Sequence, residues 1–236
     1  EDDVVTTLFV ANTHTQLLFF TTDGMVYKLK CWRLPLAGRQ AKGKAMINIL
    51  PIDQGVSIAA LMPVDVPEEE WDDLQIFFST SDGDVRRNAL SDFTNVMRNG
   101  KIAMKLPEGV SLVNARICDE NDDVMLVTAA GRAIRFPTTE VRVFKGRDST
   151  GVRGVRLGAD DSVVSMSVIR HFEAEPWERA AFLKRYRAEL GAEAEEEITD
   201  AEDEPAGEGV LSDERYQEML AAQERILTIT ASGLGK

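Results

Sequence analysis

The strongest constraint on this 236-residue chain is that it repeats itself. Aligned on Gly24, Gly83, Gly131 and Gly233, the stretches 17–30, 76–87, 124–135 and 226–236 share one pattern. An apolar core comes first: Leu17-Leu18-Phe19, Ile76-Phe77-Phe78, Val124-Met125-Leu126 and, more weakly, Ile226-Leu227-Thr228. Thr21, Thr80, Thr128 and Thr230 each stand three residues before the glycine, which follows Asp23, Asp82, Ala130 or Ser232. Asp-Gly suits a tight hairpin turn that needs positive φ, so each unit begins as a β-hairpin. The first three glycines lie 59 and 48 residues apart, near the ~40–50-residue period of propeller blades.

A second element repeats behind the first. Gly43, Gly100 and Gly151 follow the hairpin glycines by 19, 17 and 20 residues. Each opens an apolar-polar-apolar stretch, Ile47-Asn48-Ile49, Met104-Lys105-Leu106 and Val155-Arg156-Leu157, the alternation of a half-buried strand. Another strand starts at Ser57-Ile58, Ser111-Leu112 and Ser162-Val163. The expectation is an all-β array of four-stranded antiparallel blades, with units at about 17–64, 75–117 and 124–170 and with Phe19, Phe77 and Met125 inside.

Charge is divided unevenly. The chain carries 27 Lys+Arg against 40 Asp+Glu, a net charge of −13, but residues 171–225 alone hold 17 acids and 6 bases. The remainder is close to neutral, which leaves nucleic-acid binding open despite the total. The linkers 65–70 and 119–123 are acidic and turn-rich, and 171–225 occupies the same slot as an insert. Helical spacing of Phe182, Tyr186 and Leu190, and of Tyr216, Met219 and Leu220, predicts helices over 176–190 and 212–223. Residues 193–209 have almost nothing to bury and are expected to be poorly ordered. The domain reading is therefore blades over 1–170, an acidic insert over 171–225, and the start of a further blade over 226–236.

Nothing in the sequence reads as catalytic. His14 and His171, the only histidines, have no nucleophile or carboxylate arrangement around them. Tyr27, Tyr186 and Tyr216 read as packing residues, and Cys31 and Cys118 as reduced structural thiols, without the paired spacing of a zinc site. The stretch 38–44 lacks the GxxxxGK[ST] frame, because Ala45 follows Lys44. The acids at 195–197 lack the spacing of a calcium loop. No metal or cofactor is expected in this chain. No apolar run approaches the ~20 residues of a membrane span, and the start, Glu1-Asp2-Asp3, is unlike a signal peptide; a cytoplasmic location is expected.

The bases recur at fixed places. Lys28, Arg87 and Arg135 each follow a hairpin glycine by four residues, and Lys30 lies close by. Around the second glycines come Arg39, Lys42 and Lys44, then Arg98, Lys101 and Lys105, then Lys145, Arg147, Arg153 and Arg156. Equivalent cations in successive blades predict a basic belt along the rim, a surface suited to tracking phosphates without reading bases. An ordinary solvated strand face is the competing explanation.

Four segments, Leu8-Phe9-Val10-Ala11-Asn12-Thr13-His14, Gly24-Met25-Val26-Tyr27-Lys28-Leu29-Lys30, 42–51 (Lys-Gly-Lys-Ala-Met-Ile-Asn-Ile-Leu-Pro) and Thr150-Gly151-Val152-Arg153-Gly154-Val155-Arg156-Leu157, closely resemble the family of C-terminal domains of the DNA gyrase A protein, from the bacterial type IIA topoisomerases. The resemblance spans 1–170 and resumes at 226. It implies a β-pinwheel whose basic outer rim bends and wraps double-stranded DNA, contributing to ATP-dependent negative supercoiling. It also implies partners, the rest of the gyrase A protein and the gyrase B protein in a heterotetramer, with ATP and Mg used elsewhere in that assembly. The family's defining Gln-Arg-Arg-Gly-Gly-Lys-Gly type box and cleavage tyrosine are absent, so the chain reads as an internal fragment lacking the first and last blades. The corresponding domain of topoisomerase IV and a propeller-like protein-interaction scaffold are the alternatives.

Overall fold

Three β-hairpins in a row set the architecture. The computed structural model describes residues 5, 7–147, 149–190 and 209–229. Strands β1 (Gln16–Thr21) and β2 (Met25–Lys30), β4 (Gln75–Thr80) and β5 (Asp84–Ala89), and β8 (Asp122–Thr128) and β9 (Ala133–Pro137) pair antiparallel. Gly24, Gly83 and Gly131 have φ of 83°, 90° and 77°. The recurring threonine holds the turn. Thr80 Oγ1 donates to the Asp84 carbonyl at 2.9 Å and to Asp82, and Thr21 makes the same pair of bonds to Met25 and Asp23. On the other side of each hairpin lies the strand that begins at the predicted Ser: β3 (Ile58–Val64) on β1, β7 (Leu112–Cys118) on β4 and β12 (Val163–Arg170) beside β8.

The fourth strand is where the sequence reading needs correction, since each of the first two blades borrows it from the unit that follows. The first sheet runs β3-β1-β2-β6, and β6 (Lys101–Ile102) belongs to the second unit. In the second sheet β5 carries both β10 (Val143–Phe144) and β11 (Val152–Arg153) from the third unit. These strap strands are only two residues long, and the residues expected as strands, Met104-Lys105-Leu106 and Val155-Arg156-Leu157, lie outside the ladders. Their backbone is used differently: Ala103 and Met104 N–H both donate to Gly24 C=O, and Gly154 and Val155 N–H both donate to Gly83 C=O. Each strap so clasps the hairpin turn of the unit before it. A glycine is required there, because a Cβ on Gly24 would lie 2.3 Å from the Met104 carbonyl oxygen.

The first unit's strap has no preceding hairpin among the described residues. Its predicted strand, Ile47-Asn48-Ile49, is instead part of a 3-10 turn, Met46–Asn48, with Met46 and Ile49 folded onto the outer face of the first blade around Leu17, Phe19 and Tyr27. Leu36 is fully exposed and Ile47 half exposed, whereas the residues seven before the strap glycine in the next two units, Phe93 and Phe144, are 0% and 6% exposed. Among the described residues no strand pairs with the outer edge of β9, where Ala133, Ile134 and Arg135 are exposed.

The central strands are buried on both faces, which explains their unbroken apolar runs. Leu18 and Phe20 face the second blade and meet Phe78 and Phe93, with the Phe20 and Phe78 rings edge to face at 5.4 Å. Phe77 turns the other way, into the layer shared with Val124, Leu126, Phe136 and Phe144. Phe19 and Phe77 are buried as expected; Met125, on the opposite face of β8 from Val124 and Leu126, is only half-buried.

Residues 170–236 form a second unit. Helices α1 (Pro176–Leu190) and α2 (Asp213–Ala221) occupy the two predicted segments, and Ser212 caps α2 by accepting from Arg215 N–H. They pack through Phe182, Tyr216 and Met219. Arg215 joins them by its ion pair with Glu178 at 2.9 Å, and Arg185 joins them by its pair with Asp213 at 2.6 Å. The expectation of poor order over 193–209 falls almost entirely outside the described residues, as does the turn of the fourth hairpin.

Candidate nucleic-acid interface

The predicted belt divides into two populations. Lys28, Arg87 and Arg135 point along the blades and are engaged within the chain. The Lys28 ammonium lies 2.9 Å from Glu68, donates to the Thr94 carbonyl and faces the Trp71 ring at 5.7 Å, with only 14% of its side chain exposed. Glu68 also accepts from Gln16 at 2.8 Å. Arg87 is buried and donates to Gln75 Oε1 at 2.9 Å, and Arg135 pairs with Asp123 at 2.6 Å. Lys28 and Arg87 are held within the blades, Lys28 on the linker acid Glu68 and Arg87 on Gln75, whereas Arg135 pairs with Asp123 while 48% of its side chain stays exposed. Their repetition has a structural cause: the fourth position after the turn lies beside the first residues of the hairpin, where the linker returns.

The strap cations behave differently. Arg39, Lys42 and Lys44 on the first strap, Arg98 and Lys105 on the second, and Lys145, Arg153 and Arg156 on the third are all exposed, as is Lys30. Arg33, which the repeat pattern did not single out, is exposed too, 5.2 Å from the equally exposed Trp32 ring. Lys101 and Arg147 are the half-buried members. Arg147 Nη1 donates to the Ile102 carbonyl at 2.7 Å, which carries the third strap's cation onto the second strap, next to Lys101. Lys101 donates to the Asp92 carbonyl at 3.1 Å. Burial, then the adjacent Arg147 and Lys28, hold Lys101 below the usual lysine range against the opposing pull of Asp92. Two straps thus bring the like charges of Arg147 and Lys101 together.

Cys31 and Cys118 are free thiols, and burial pushes Cys118 up to about 12. The Tyr27 hydroxyl donates to the Pro51 carbonyl at 3.2 Å, and burial raises it above the ordinary phenol range. The His14 ring nitrogen Nδ1 lies 3.2 Å from Thr13 Oγ1, and its backbone N–H donates to Asn12 Oδ1 at 2.9 Å. Among the described residues no group of three His, Cys, Asp or Glu side chains is placed to hold a metal ion, and no helix is long and apolar enough to cross a membrane. An open groove of about 780 Å³ lies beside the first blade between residues 10–16 and 64–68. It is lined by the acids Asp65 and Glu68 and is no seat for a phosphate.

Interleaved hairpin blades with exposed cations on the straps define a repeat domain of the propeller and pinwheel class. The family described as DNA gyrase C-terminal domain, beta-propeller, matches residues 15–65, 75–119 and 122–170. The chain belongs to this family. The DNA gyrase A protein of Granulibacter bethesdensis is 45% identical over 245 residues, and that of Rickettsia bellii 42% over 238, both matching the whole chain. The Escherichia coli gyrase A protein is 40% identical over 170 residues, 72% of the chain. The chain spans about a quarter of the length of the first two relatives and 19% of the third. Among solved structures, the C-terminal domain of DNA topoisomerase IV matches with a TM-score of 0.60 and 26% identity, covering 67% of this chain and 48% of that one. A DNA gyrase A C-terminal domain matches at 0.53 and 21%, covering 67% and 49%, and shares the fold.

Proposed function

We propose that this chain binds double-stranded DNA without sequence preference and bends it along the strap cations, as the wrapping element of a gyrase A protein. The observation that carries this reading is the convergence of neighbouring straps: Arg147 reaches the backbone of Ile102 and places its charge beside Lys101, so the basic loops of adjacent units join into one track. Each cation on phosphate releases condensed counterions. Bending a ~20–30 bp site costs on the order of several kcal/mol, which a row of such contacts offsets. Base edges are not needed for this, and the binding is sequence-independent.

In this reading the gyrase B protein, the rest of the gyrase A protein and double-stranded DNA are the partners, the location is the cytoplasm, and ATP and Mg act elsewhere in the assembly to drive negative supercoiling. The interaction-scaffold alternative draws support from one feature, the pairing of Lys28 and Arg135 with the linker acids Glu68 and Asp123. The exposed strap cations favour DNA. The test is topological: the chain is incubated with relaxed plasmid and a nicking-closing enzyme, and the recovered linking number is measured. A shift that grows with protein concentration supports wrapping; tight binding with an unchanged linking number refutes it.

A further inference from the structure

Arg86 is fully buried in the second blade, at 0% exposure, and it cannot itself touch a phosphate. It lies on β5, between the two places where the third strap pairs with that strand. Val143 and Phe144 pair with Arg87 and Asn88, while Val152 and Arg153 pair with Val85 and Asp84. Between these anchors the described residues 145–147 and 149–151 lie outside the ladder. The Arg86 guanidinium fills the gap beneath them, donating to the carbonyls of Arg147 at 2.8 Å, Ser149 at 2.7 Å and Gly146. Asn88 adds bonds to Phe144 at 3.2 Å and Gly146 at 2.9 Å.

Burying a guanidinium is costly, and an aliphatic residue would pack against Phe144 without that penalty. What arginine adds is a rigid planar fork that can hold several carbonyls at once, which the single ammonium of lysine cannot match. The same position in the first hairpin, three after the glycine, is Tyr27, whose ring lies directly under Gly100 of the second strap: a Cβ there would be 2.6 Å from Tyr27 Cε1. In the third hairpin it is Ile134, which is exposed. The position serves as a seat for the next unit's cation loop, and Arg86 is its polar version.

We infer that Arg86 is a positioning residue for DNA binding: by turning the carbonyls of 146, 147 and 149 inward, it holds Lys145 and Arg147 on the outer side of the strap in a phosphate-ready arrangement. This rests on the DNA-wrapping reading above. Each phosphate contact contributes a slope of about 0.9 in log affinity against log salt, equivalent to about fivefold in affinity between 1 M and 0.15 M. Releasing a loop with two cations therefore weakens binding about 5- to 30-fold at 0.15 M salt.

The test compares wild type, R86M, R86K, K145A/R147A and the combinations of the last with R86M and with R86K in DNA titrations at several salt concentrations. R86M is expected to lower the slope by about 1 to 2, to match K145A/R147A, and to add less than twofold when combined with it. R86K keeps the charge but loses the fork, so it is expected to show at least half of the same loss; if R86M does not fold, R86K carries the cycle. Wild-type binding by R86K, or losses that multiply in the combined variant, would overturn the inference. Hydrogen exchange separates it from the DNA reading. Faster exchange of the 146–151 amides in R86K, with Phe77 and Phe78 still protected, is expected whether or not DNA binds; unchanged exchange there overturns the positioning role. A wild-type chain with no salt-dependent binding removes the DNA reading instead.

Discussion

Lys28 offers the sharpest separation between a joint and a rim. Lys28→Met keeps the length of the side chain and its packing near Trp71 but removes the charge that Glu68 and the Thr94 carbonyl share. Glu68 retains Gln16 at 2.8 Å and is 32% exposed at its side chain, so water recovers part of the loss. The Thr94 carbonyl is left without its ammonium partner. An exposed pair is worth ~0–1 kcal/mol, and a buried acceptor left unsatisfied costs about 1–3 kcal/mol. The partial exposure of Glu68 places the expected cost at about 1–2 kcal/mol. For a body of this size that corresponds to a fall in Tm of about 3–6 °C. Thermal unfolding followed by far-UV circular dichroism measures it, beside a DNA titration over salt. The expected result is a lower Tm and an unaltered salt slope. A K28M variant with wild-type Tm and a slope reduced by about 0.9 would place Lys28 on phosphate and refute the joint.

Gly83→Ala forces a residue to φ of 90° with its Cβ 2.8 Å from the Val155 carbonyl, while Gly131→Ala meets only the φ penalty of about 1 kcal/mol. Thermal melts are expected to show the first losing at least twice as much stability as the second. Phe78→Ala empties the seam between the first two blades and is expected to cost about 3–5 kcal/mol in denaturant unfolding. The Cys118 thiol, raised to about 12, stays protonated in the folded chain while an unfolded thiol ionises near its ordinary value of 9.0; stability is therefore full below that value and falls as pH rises toward 12. A thiol reagent at pH 8 should label Cys31 and spare Cys118 until the chain unfolds. Hydrogen bonds from Arg215, then from the Glu175 N–H, hold the Glu178 carboxyl below its ordinary range, so that support for the helix pair is present above the ordinary value and lost as pH falls through the lowered one. Helical circular dichroism during acid titration follows this, and R215A is expected to begin losing signal at higher pH.

The hairpins were readable because their determinants are local: Thr21, Asp23 and Gly24 build one turn among themselves, and the same three-residue logic recurs at Thr80 and Asp82. The helices of the insert were readable from the spacing of Phe182, Tyr186 and Leu190 on one and of Tyr216, Met219 and Leu220 on the other. The straps were not. Their alternating residues suggested a strand within each unit, but the partner is the hairpin turn of the unit before, and pairing between residues as far apart as Gly24 and Met104, or Gly83 and Val155, leaves no local periodicity. The division of the cations was equally hidden. Lys28 and Lys44 are both bases near a repeat glycine, and only the fold shows that one meets Glu68 and the other meets solvent. Arg86 had no signal at all in the sequence beyond adjoining Arg87.

DNA following the strap cations is the central claim. It is tested most directly by the salt slope of a variant in which Arg39, Lys42 and Lys44, all exposed on the first strap, are replaced together by alanine. Removing three phosphate-binding cations predicts a slope smaller by about 2.7, the same weakening for DNA of any sequence, and an unchanged Tm. A triple variant that keeps the wild-type slope would contradict the claim.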